Sequence, residues 1–445
     1  MSEIMSLLMT IKQILPNVTW GQLLVIVPSI LTMTGPVTML NMSRWSRKGG
    51  SYRTIQRFYN SEILWLQVNW LLMRQSLVGM GGPYVLVGDE TVVTKSGKCT
   101  HGLDRFFSSI YGKVVPGLSF FGISVVSVKE GESTPLQLEQ LTKEETTSGR
   151  ASNPKPKTKK KKGTKKGGKN KGGRPKGSKN KNREEVELPA YLQNIQSHFE
   201  QVLELVKRTL PIKHAVLDGA FGNNNALQMV RRLGLDLISK LNRNAALYFP
   251  YTGPQKPRGA KRIYGDKLDY DNVPLAYLKE STTEDGVQTD IYQMEMRHKL
   301  FPCLLNIVLV CKTKIDSGKR AHVVLFCSDL ELSYKSIVRI YRLRFQIEFN
   351  FRDAKQFWGL EDFMNVKQTP VYNAANLAIF MTNLSALLIR QRRKQIPGFG
   401  VHDLKAEFRG RFYAQEVLKL LSESPDPVLI DRLFDRLSSI GAIHS

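Results

Sequence analysis

The sequence predicts an α/β protein, in which a sheet alternates with helices, a β-rich insertion interrupts it, and helical regions stand at both ends. Three observations support this fold class. Short apolar runs alternate with amphipathic helical segments between residues 84 and 244. Residues 245–332 carry Gly and Pro turns, many tyrosines, and strand-like segments such as AHVVLFC. Residues 1–80 and 366–445 have apolar side chains at helical spacing.

The first 80 residues are predicted to be a helical, DNA-binding region. Apolar residues between Leu23 and Leu31 repeat at helical spacing, and short helices rich in Arg and Ser follow, broken at Gly49-Gly50. One interpretation is a helix-turn-helix whose reading helix lies near Ser51 to Tyr59 and presents Arg53 and Arg57 to DNA. The other is a basic helical bundle that reads no bases.

Two aspartates each close an apolar strand in the α/β part of the chain. YVLVGDETVV predicts a buried strand with Asp89 at its end, and KHAVLDGAFG predicts another with Asp218 at its C-terminal end. In sheets of this kind, functional groups gather at the ends of strands. Residues 84–150 and 184–244 are therefore assigned to the first parts of the core.

A basic tract separates these two parts at residues 151–183. From Lys155 to Arg183 there are 13 Lys and 2 Arg with no acid, and removing these 15 cations from the net charge of +26 still leaves +11. Such a tract has nothing to bury and is predicted to be disordered. Gly173-Arg174-Pro175, followed by Lys176, resembles the core of an AT-hook, which enters the minor groove of A·T-rich DNA. Binding of phosphates without regard to sequence is the favoured alternative.

The excess of positive charge predicts a polyanionic partner and favours nucleic acid over a membrane or an acidic protein. The four cysteines stand at irregular spacings without a CxxC pair, which supports neither a zinc knuckle nor a redox motif. The apolar run from Leu23 to Met33 contains Pro28 and is too short to span a bilayer, and no secretory signal is recognisable. We expect a cytoplasmic, nucleoid-associated protein that binds double-stranded DNA and no membrane.

Residues 333–365 predict a helix that places one acid among cations. At about 100° per residue, four polar side chains fall within about 60° on one face of this helix. They are Tyr341, Arg344, Glu348 and Lys355. The large apolar residues Leu343, Phe345 and Phe349 are expected to point elsewhere and to anchor the helix by packing.

Taken alone, Arg344 and Glu348 at i,i+4 are equally well explained by an ordinary surface ion pair. Asp89 and Asp218 change this interpretation, because two aspartates and a glutamate in a basic protein form a ligand set for two Mg²⁺ ions. Such a metal pair activates the attacking oxygen and stabilises the leaving oxygen in phosphodiester displacement. Three other carboxylates are weaker candidates: Glu90, Asp104 and Asp353.

The motifs around these residues resemble those of a transposase family. The four residues of the helix face follow the Y-(2)-R-(3)-E-(6)-K signature of DDE transposases of insertion-sequence family four. VGDET around Asp89 resembles the first-aspartate motif of that family, and LDGAF around Asp218 resembles the second. Gly219 stands where many members have arginine. The three motifs follow the order of the family across residues 84–360.

This resemblance implies an RNase H-like core with its acids on the first strand, the fourth strand and a late helix, interrupted by a β-rich insertion domain. It implies cut-and-paste transposition: cleavage at the element ends, a hairpin intermediate, and strand transfer into target DNA by a homodimer in a synaptic complex. Asp89, Asp218 and Glu348 would be catalytic and bind two Mg²⁺ or Mn²⁺ ions.

The resemblance also implies that Tyr341, Arg344 and Lys355 contact DNA near the scissile phosphate. We expect the three acids to converge in one cleft with Glu348 near its floor, and the charges of Arg344 and Lys355 to face solvent, because DNA must reach them. Every tryptophan lies outside the insertion. A flipped base would therefore be held by another aromatic residue, for which the candidates are Tyr248 and Tyr251.

The predicted organisation is as follows: residues 1–80, helical DNA-binding region; 84–150 and 184–244, first parts of the RNase H-like core; 151–183, basic tract; 245–332, β-rich insertion; 333–365, catalytic helix region; 366–445, helical C-terminal region. Two other functions stay open. One is a transposase-derived DNA-binding protein without catalysis, and the other is a metal-dependent DNA endonuclease without strand transfer. The three acids and the unbroken signature favour the active transposase.

Overall fold

A mixed β-sheet of twelve strands runs through the part of the chain that the structure describes, and helices from both ends of the chain pack around it. The structure is a computed structural model of the 445-residue chain, and the described residues are 2–46, 49–108, 111–142, 183–419 and 426–438. The α/β fold class that the sequence predicts, with helical regions at both ends, is confirmed.

Helices precede the first strand: α1 (Ser2–Met9), α2 (Asn17–Thr32), α3 (Met39–Trp45), α4 (Tyr52–Tyr59) and α5 (Trp65–Met80). The Ser51 hydroxyl caps α4 by accepting a hydrogen bond from the Thr54 backbone N–H. Helix α4 buries Ile55 on the side that faces the protein, whereas Arg53 and Arg57 are exposed. The predicted role of α4 in reading DNA stays a prediction.

The core contains six strands and two helices: β1 (Tyr84–Thr94), β2 (Asp104–Ser108), β3 (Lys113–Ser127), β4 (Glu132–Leu141), α6 (Ala190–Val206), β5 (Ile212–Leu217), α7 (Asn224–Arg232) and β6 (Asp236–Leu241). Strands β4, β3 and β1 are antiparallel neighbours, and β1, β5 and β6 are parallel neighbours. The order β4-β3-β1-β5-β6 is that of an RNase H-like core. Helix α6 buries every apolar residue that the sequence predicts for its inner face, from Leu192 to Val206.

Strand β1 departs from the prediction in its length. The sequence places Asp89 at the end of an apolar strand, whereas β1 continues to Thr94. The reason is that β1 has two different neighbours. Its parallel pairing with β5 ends at Gly88 opposite Leu217, but its antiparallel pairing with β3 continues to Thr94 opposite Gly117. Asp89 therefore lies in the middle of a strand, immediately after the last pair with β5.

The β-rich segment contributes the remaining strands: β7 (Leu247–Pro250), β8 (Tyr264–Lys267), β9 (Leu278–Glu284), β10 (Val287–His298), β11 (Leu304–Lys314) and β12 (Arg320–Cys327). Strand β12 pairs with β6, so these strands extend the core sheet. Asp285 and Gly286, both with positive φ, connect β9 to β10, as expected for a two-residue hairpin turn. The domain boundaries proposed from the sequence stay predictions.

Five further helices follow β12: α8 (Tyr334–Leu343), α9 (Phe345–Phe357), α10 (Gln368–Arg393), α11 (Val401–Leu418) and α12 (Pro427–Ser438). The single helix expected across the signature is thus two helices with a junction at Arg344. At this junction the Arg344 N–H donates to the Tyr341 carbonyl and the Ile347 N–H donates to the Arg344 carbonyl, both three residues apart. The junction is therefore wound more tightly than an α-helix.

Helix α10 packs along β4, which pairs with β3 alone among the described strands. The Asn376 side chain accepts a hydrogen bond from the Leu138 N–H and donates one to the Leu138 carbonyl, both at 2.9 Å. Asn383 donates to the Pro135 carbonyl at 2.8 Å. Among the described residues, α10 is long and apolar enough to cross a membrane, but 83% of its apolar window is buried inside the protein. It has the burial of a core helix.

Candidate active site

The two candidate aspartates lie side by side because of the register between β1 and β5. Gly88 pairs with Leu217, and Asp89 and Asp218 are the next residues of two parallel neighbours. Neighbouring strands lie about 4.8 Å apart. Asp218 directly follows β5 and caps a short 3₁₀ helix, since its Oδ1 accepts a hydrogen bond from the Ala220 N–H at 2.9 Å.

Glu348 reaches the same place because α9 packs against the sheet beside Asp89. Gly122 on β3 is the residue that pairs with Asp89. A Cβ atom at Gly122 would lie 2.6 Å from the ring of Phe351, so only glycine leaves room for this ring. Ile347, Phe351 and other buried residues of α9 anchor the helix here. Glu348, in the first turn of α9, is thereby placed close to β1.

Arg344 connects two of the acids directly. Its Nη1 lies 2.5 Å from Asp89 Oδ2, and its Nη2 lies 2.9 Å from Glu348 Oε1. The residue is only 7% exposed, so the shared guanidinium is shielded from water. Asp89, Asp218 and Glu348 line one open cleft of about 2530 Å³, which Arg344 and Lys355 also line.

The acids influence one another electrostatically. Burial is the largest cause that raises the pKa of Asp89, to about 6, while Arg344 lowers it and Asp218 and Glu348 raise it further. Burial acts to lower the pKa of Arg344, but the charges of Asp89 and Glu348 outweigh it and the pKa is raised. The cleft therefore holds a cluster of carboxylates that favours a bound cation.

Arg344 and Lys355 do not turn their charges toward solvent, as the sequence led us to expect. Arg344 is held by the two acids, and Lys355 Nζ donates to the Val92 carbonyl at 2.7 Å and lies 3.6 Å from Glu361. Burial lowers the pKa of Lys355. Both cations are drawn inward because the cleft itself supplies their acceptors. The Tyr341 ring is half-buried, 6.0 Å from the Arg344 guanidinium carbon.

The packing of α9 also differs from the expectation. Phe345 and Phe349, predicted to anchor the helix, are 50% and 46% exposed. The guanidinium carbon of Arg344 lies 4.8 Å from the Phe345 ring, and that of Arg352 lies 5.0 Å from the Phe349 ring. The Glu348 side chain is 45% exposed, at the rim of the cleft instead of its floor. The junction at Arg344 changes which residues face the sheet, and a single helical wheel cannot anticipate this change.

The weaker candidate acids are placed differently. Glu90 lines the cleft and its Oε1 accepts a hydrogen bond from the Tyr191 hydroxyl at 3.2 Å. Asp353 pairs with Arg352, and neither Asp104 nor Asp353 is among the described residues that line the cleft.

Sequence reasoning missed two exposed cations of this cleft, Arg105 and Arg352, whereas a third, Arg183, is the last residue of the predicted basic tract. The signal for Arg352 was its position one helical turn after Glu348. The chain offered no comparable signal for Arg105, which approaches through the pairing of β2 with β3.

The other predicted DNA contacts lie elsewhere. Arg53 and Arg57 are not among the described residues lining the cleft, and Arg174 and Lys176 lie outside the described residues. Among the aromatic residues considered for a flipped base, Tyr248 packs edge-on against Tyr264 at 5.5 Å, and Tyr251 lies under the Arg262 guanidinium at 4.3 Å. Neither Tyr248 nor Tyr251 lines the cleft as far as the structure describes it.

The donor atoms of the cleft fit hard divalent cations. Asp89, Asp218 and Glu348 offer carboxylate oxygens, which Mg²⁺ and Mn²⁺ prefer. Asp89 and Glu348 already share one cationic group, the Arg344 guanidinium. These residues are thus suited to metal binding.

A second group of possible ligands lies at the opposite end of β5. His214, Asp236 and Asp329 have ligand atoms within 4.8 Å of one another. His214 Nε2 lies 3.0 Å from Asp329 Oδ2, and the Ser328 hydroxyl donates to Asp236 Oδ1 at 2.6 Å. Hydrogen bonds inside the group explain this arrangement without a metal ion.

The chain matches a known protein family. The model of a family described as DDE superfamily endonuclease matches residues 13–299, more than half of the chain. No curated protein matches the chain. The matched range contains Asp89 and Asp218 and ends before Glu348. The assignment of Glu348 as the third acid is therefore not supported by the family match and rests on the geometry of the cleft.

Proposed function

This chain belongs to the DDE superfamily of endonucleases, and on that premise we propose that it is the transposase of an insertion sequence, from insertion-sequence family four. Membership of the superfamily implies a DNA substrate and a nuclease or transposase activity that depends on divalent metal ions. The proposal adds the reaction course: cut-and-paste transposition with cleavage at the element ends, a hairpin intermediate and strand transfer into target DNA.

The observation that carries this proposal is the arrangement of the acids. Asp89 and Asp218 are adjacent through strand register, and Glu348 is joined to Asp89 through one buried guanidinium. The three carboxylates line one open cleft. An open cleft, unlike a closed pocket, admits a DNA duplex.

Asp89, Asp218 and Glu348 are proposed to hold two Mg²⁺ or Mn²⁺ ions, which when bound activate the attacking oxygen and stabilise the leaving oxygen. The protein contributes the positions of these carboxylates. Asp89 is fixed by its Oδ1, which accepts the Glu90 N–H at 2.9 Å. Asp218 is fixed in the same manner by the Ala220 N–H.

Lys355 is proposed to act first by positioning α9. Its ammonium group donates to the Val92 carbonyl on β1, and this bond ties the Glu348 helix to the Asp89 strand. Arg105 and Arg352 stand exposed at the cleft and are suited to phosphate contacts. Arg344 and Tyr341 are proposed to contact DNA near the scissile phosphate once the substrate is bound.

DNA outside the cleft is proposed to be held by charge. The chain carries +26 in total and +11 without its basic tract of 15 cations. We propose that this tract, which contains Arg174 and Lys176, binds the phosphate backbone. We also propose that Arg53 and Arg57 on α4 contact DNA. We further propose that the protein acts as a homodimer in the synaptic complex, and that it does so at the nucleoid in the cytoplasm.

One assay separates this function from its alternatives. The protein is incubated with labelled element ends, taken from the terminal inverted repeats beside its gene, together with Mg²⁺ and a target plasmid. We expect cleaved ends, hairpins and strand-transfer products. Cleavage without joining would instead identify an endonuclease, and binding without cleavage would identify a transposase-derived DNA-binding protein.

A further inference from the structure

Arg344 occupies the place between two acids where a metal ion is expected. Its two terminal nitrogens contact Asp89 Oδ2 at 2.5 Å and Glu348 Oε1 at 2.9 Å. The residue is 93% buried, as its 7% exposure implies. The guanidinium and its contact with Asp89 are buried inside the cleft, while Glu348 is half-exposed at the rim. The arrangement therefore differs from the exposed surface pair that the spacing of Arg344 and Glu348 alone indicates.

We propose that Arg344 fills the cation position of the free protein and excludes divalent metal until a DNA phosphate draws its guanidinium away. This inference rests on the proposed function of the same cleft, and it adds an order of binding. DNA binds first, Arg344 moves to the phosphate, and the carboxylates then become free for metal.

Divalent metal is excluded because both carboxylate oxygens of Asp89 already accept hydrogen bonds. One of its oxygens accepts the Glu90 N–H, and the other accepts the Arg344 guanidinium. A divalent ion at Asp89 must approach this oxygen against a positive charge that already contacts it. In a shielded site such repulsion is much stronger than in water. The same guanidinium also engages one oxygen of Glu348, so one side chain competes with metal at two of the three ligands.

The departure of Arg344 is favoured by a donor that it leaves unused. Its Nε is buried and has no hydrogen-bond partner among the described residues. A buried N–H without an acceptor is costly. A phosphate can accept two parallel N–H bonds from one guanidinium, one of them from Nε. Contact with DNA therefore gives Arg344 a partner for a group that the free protein leaves unsatisfied.

The backbone at Arg344 is suited to such a move. The residue lies at the junction between α8 and α9, where hydrogen bonds three residues apart replace the regular helical pattern. Its guanidinium rests against the half-exposed ring of Phe345 at 4.8 Å. A flat aromatic face allows the guanidinium to slide while keeping contact.

The consequence is reciprocal coupling between DNA and metal. If DNA raises the affinity for metal, metal must raise the affinity for DNA by the same factor. The free protein would then remain without metal at concentrations at which the DNA complex is loaded.

The test measures Mn²⁺ binding to the full chain without DNA, from the loss of the electron paramagnetic resonance signal of free Mn²⁺. We compare the natural protein with Arg344→Gln and Arg344→Lys. Arg342→Gln is the control, because it removes the same charge two residues from Arg344, and Arg342 is exposed and is not among the described residues that line the cleft. Circular dichroism checks that each variant is folded.

We expect Arg344→Gln to bind Mn²⁺ about tenfold more tightly or better, as the loss of a hydrogen bond between charged groups implies. Arg344→Lys should fall between this variant and the natural protein, since one ammonium cannot engage both acids in the same way. Arg342→Gln should bind like the natural protein. Adding Asp218→Asn to Arg344→Gln should abolish the gain, which locates it at the triad instead of the His214 group.

A second measurement repeats the titration of the natural protein with a pre-cleaved duplex of the element end. We expect the duplex to tighten Mn²⁺ binding, and to do so much less in Arg344→Gln. Equal Mn²⁺ binding by Arg344→Gln and the natural protein would overturn the inference. If Arg344→Gln does not fold, an unchanged Mn²⁺ affinity of the natural protein on adding duplex overturns it equally. Failure of the proposed function is a separate result: element ends that stay uncut, whatever the Mn²⁺ affinity.

Discussion

The ring of Phe351 lies over Gly122, whose absent Cβ would stand 2.6 Å from it. Gly122 is also the cross-strand partner of Asp89. This contact therefore limits how closely the Glu348 helix can approach the Asp89 strand.

We predict that Gly122→Ala moves α9 outward and reduces cleavage by about a hundredfold, since a displacement near 1 Å has that effect in other active sites. Overpacking of this kind costs about 1–3 kcal/mol of stability, so the protein should remain folded. Cleavage rates and urea unfolding are measured together. Gly79→Ala is the matched control, because nothing lies within 4 Å of its added Cβ. A Gly122→Ala protein that cleaves normally would show that α9 is not set by this contact.

We predict that Asp89→Asn, Asp218→Asn and Glu348→Gln each reduce cleavage by about a hundredfold or more, the scale on which single charge-stabilising groups act. DNA binding should be largely retained, because the proposed role of these charges is to hold metal and not to contact DNA. Gel-shift and cleavage assays on the same element ends measure both. Asp353→Asn is the control, since Asp353 lies on α9 like Glu348 but is not among the described residues that line the cleft. A variant of the three that still cleaves well is not a metal ligand.

The pH dependence of Mn²⁺ binding should follow Asp89. Its pKa is raised from 3.8 to about 6, first by burial, so the carboxyl is protonated below that pH and ionised above it. Because a metal binds the ionised form, we expect the affinity to rise with pH through about 6 and to level off beyond it. Metal competes with protons, so the midpoint of cleavage should move to lower pH as Mn²⁺ is increased. The pH values 5 and 7 lie about one unit either side of this pKa, so the carboxyl changes from mostly protonated to mostly ionised between them. An Mn²⁺ affinity that stays constant over this range would exclude Asp89 as a ligand.

The basic tract should govern the salt dependence of DNA binding. We replace residues 155–182 by a Gly-Ser linker of equal length and keep Arg183, whose carbonyl accepts the Asn224 side chain. Each lost phosphate contact lowers the slope of log affinity against log salt by about 0.9. Folding should survive, because the replaced residues contain no large apolar side chain and their carbon-rich groups are prolines and the stems of lysines and Arg174. An unchanged slope, measured by fluorescence anisotropy, would mean that the tract does not contact DNA.

The sequence predicted the parts of the site that depend on local pattern. Asp218 does stand at the C-terminal end of a strand, directly after Leu217, and α6 buries the residues that its spacing indicates, because apolar periodicity reports directly on burial. The adjacency of Asp89 and Asp218 could only be inferred from the family, since strand register is set between distant parts of the chain.

The predictions of side-chain orientation were wrong where tertiary contacts override the helical spacing of the residues. A helical wheel places Phe345 and Phe349 on a packing face, but the junction at Arg344 leaves both half-exposed. The wheel also shows Arg344 and Lys355 as outward cations. The sheet draws them inward, through Asp89 and the Val92 carbonyl, and neither partner is visible from the sequence of the helix.

The asparagines of α10 have a consequence for how these molecules can assemble. The Asn376 side chain forms hydrogen bonds with the N–H and the carbonyl of Leu138 on β4, and Asn383 donates to the Pro135 carbonyl. Asn69 of α5 donates to the Leu136 carbonyl. A strand whose outer groups are bound in this way offers no template to a strand from another copy. Addition of a further strand from another copy is therefore blocked along this part of β4.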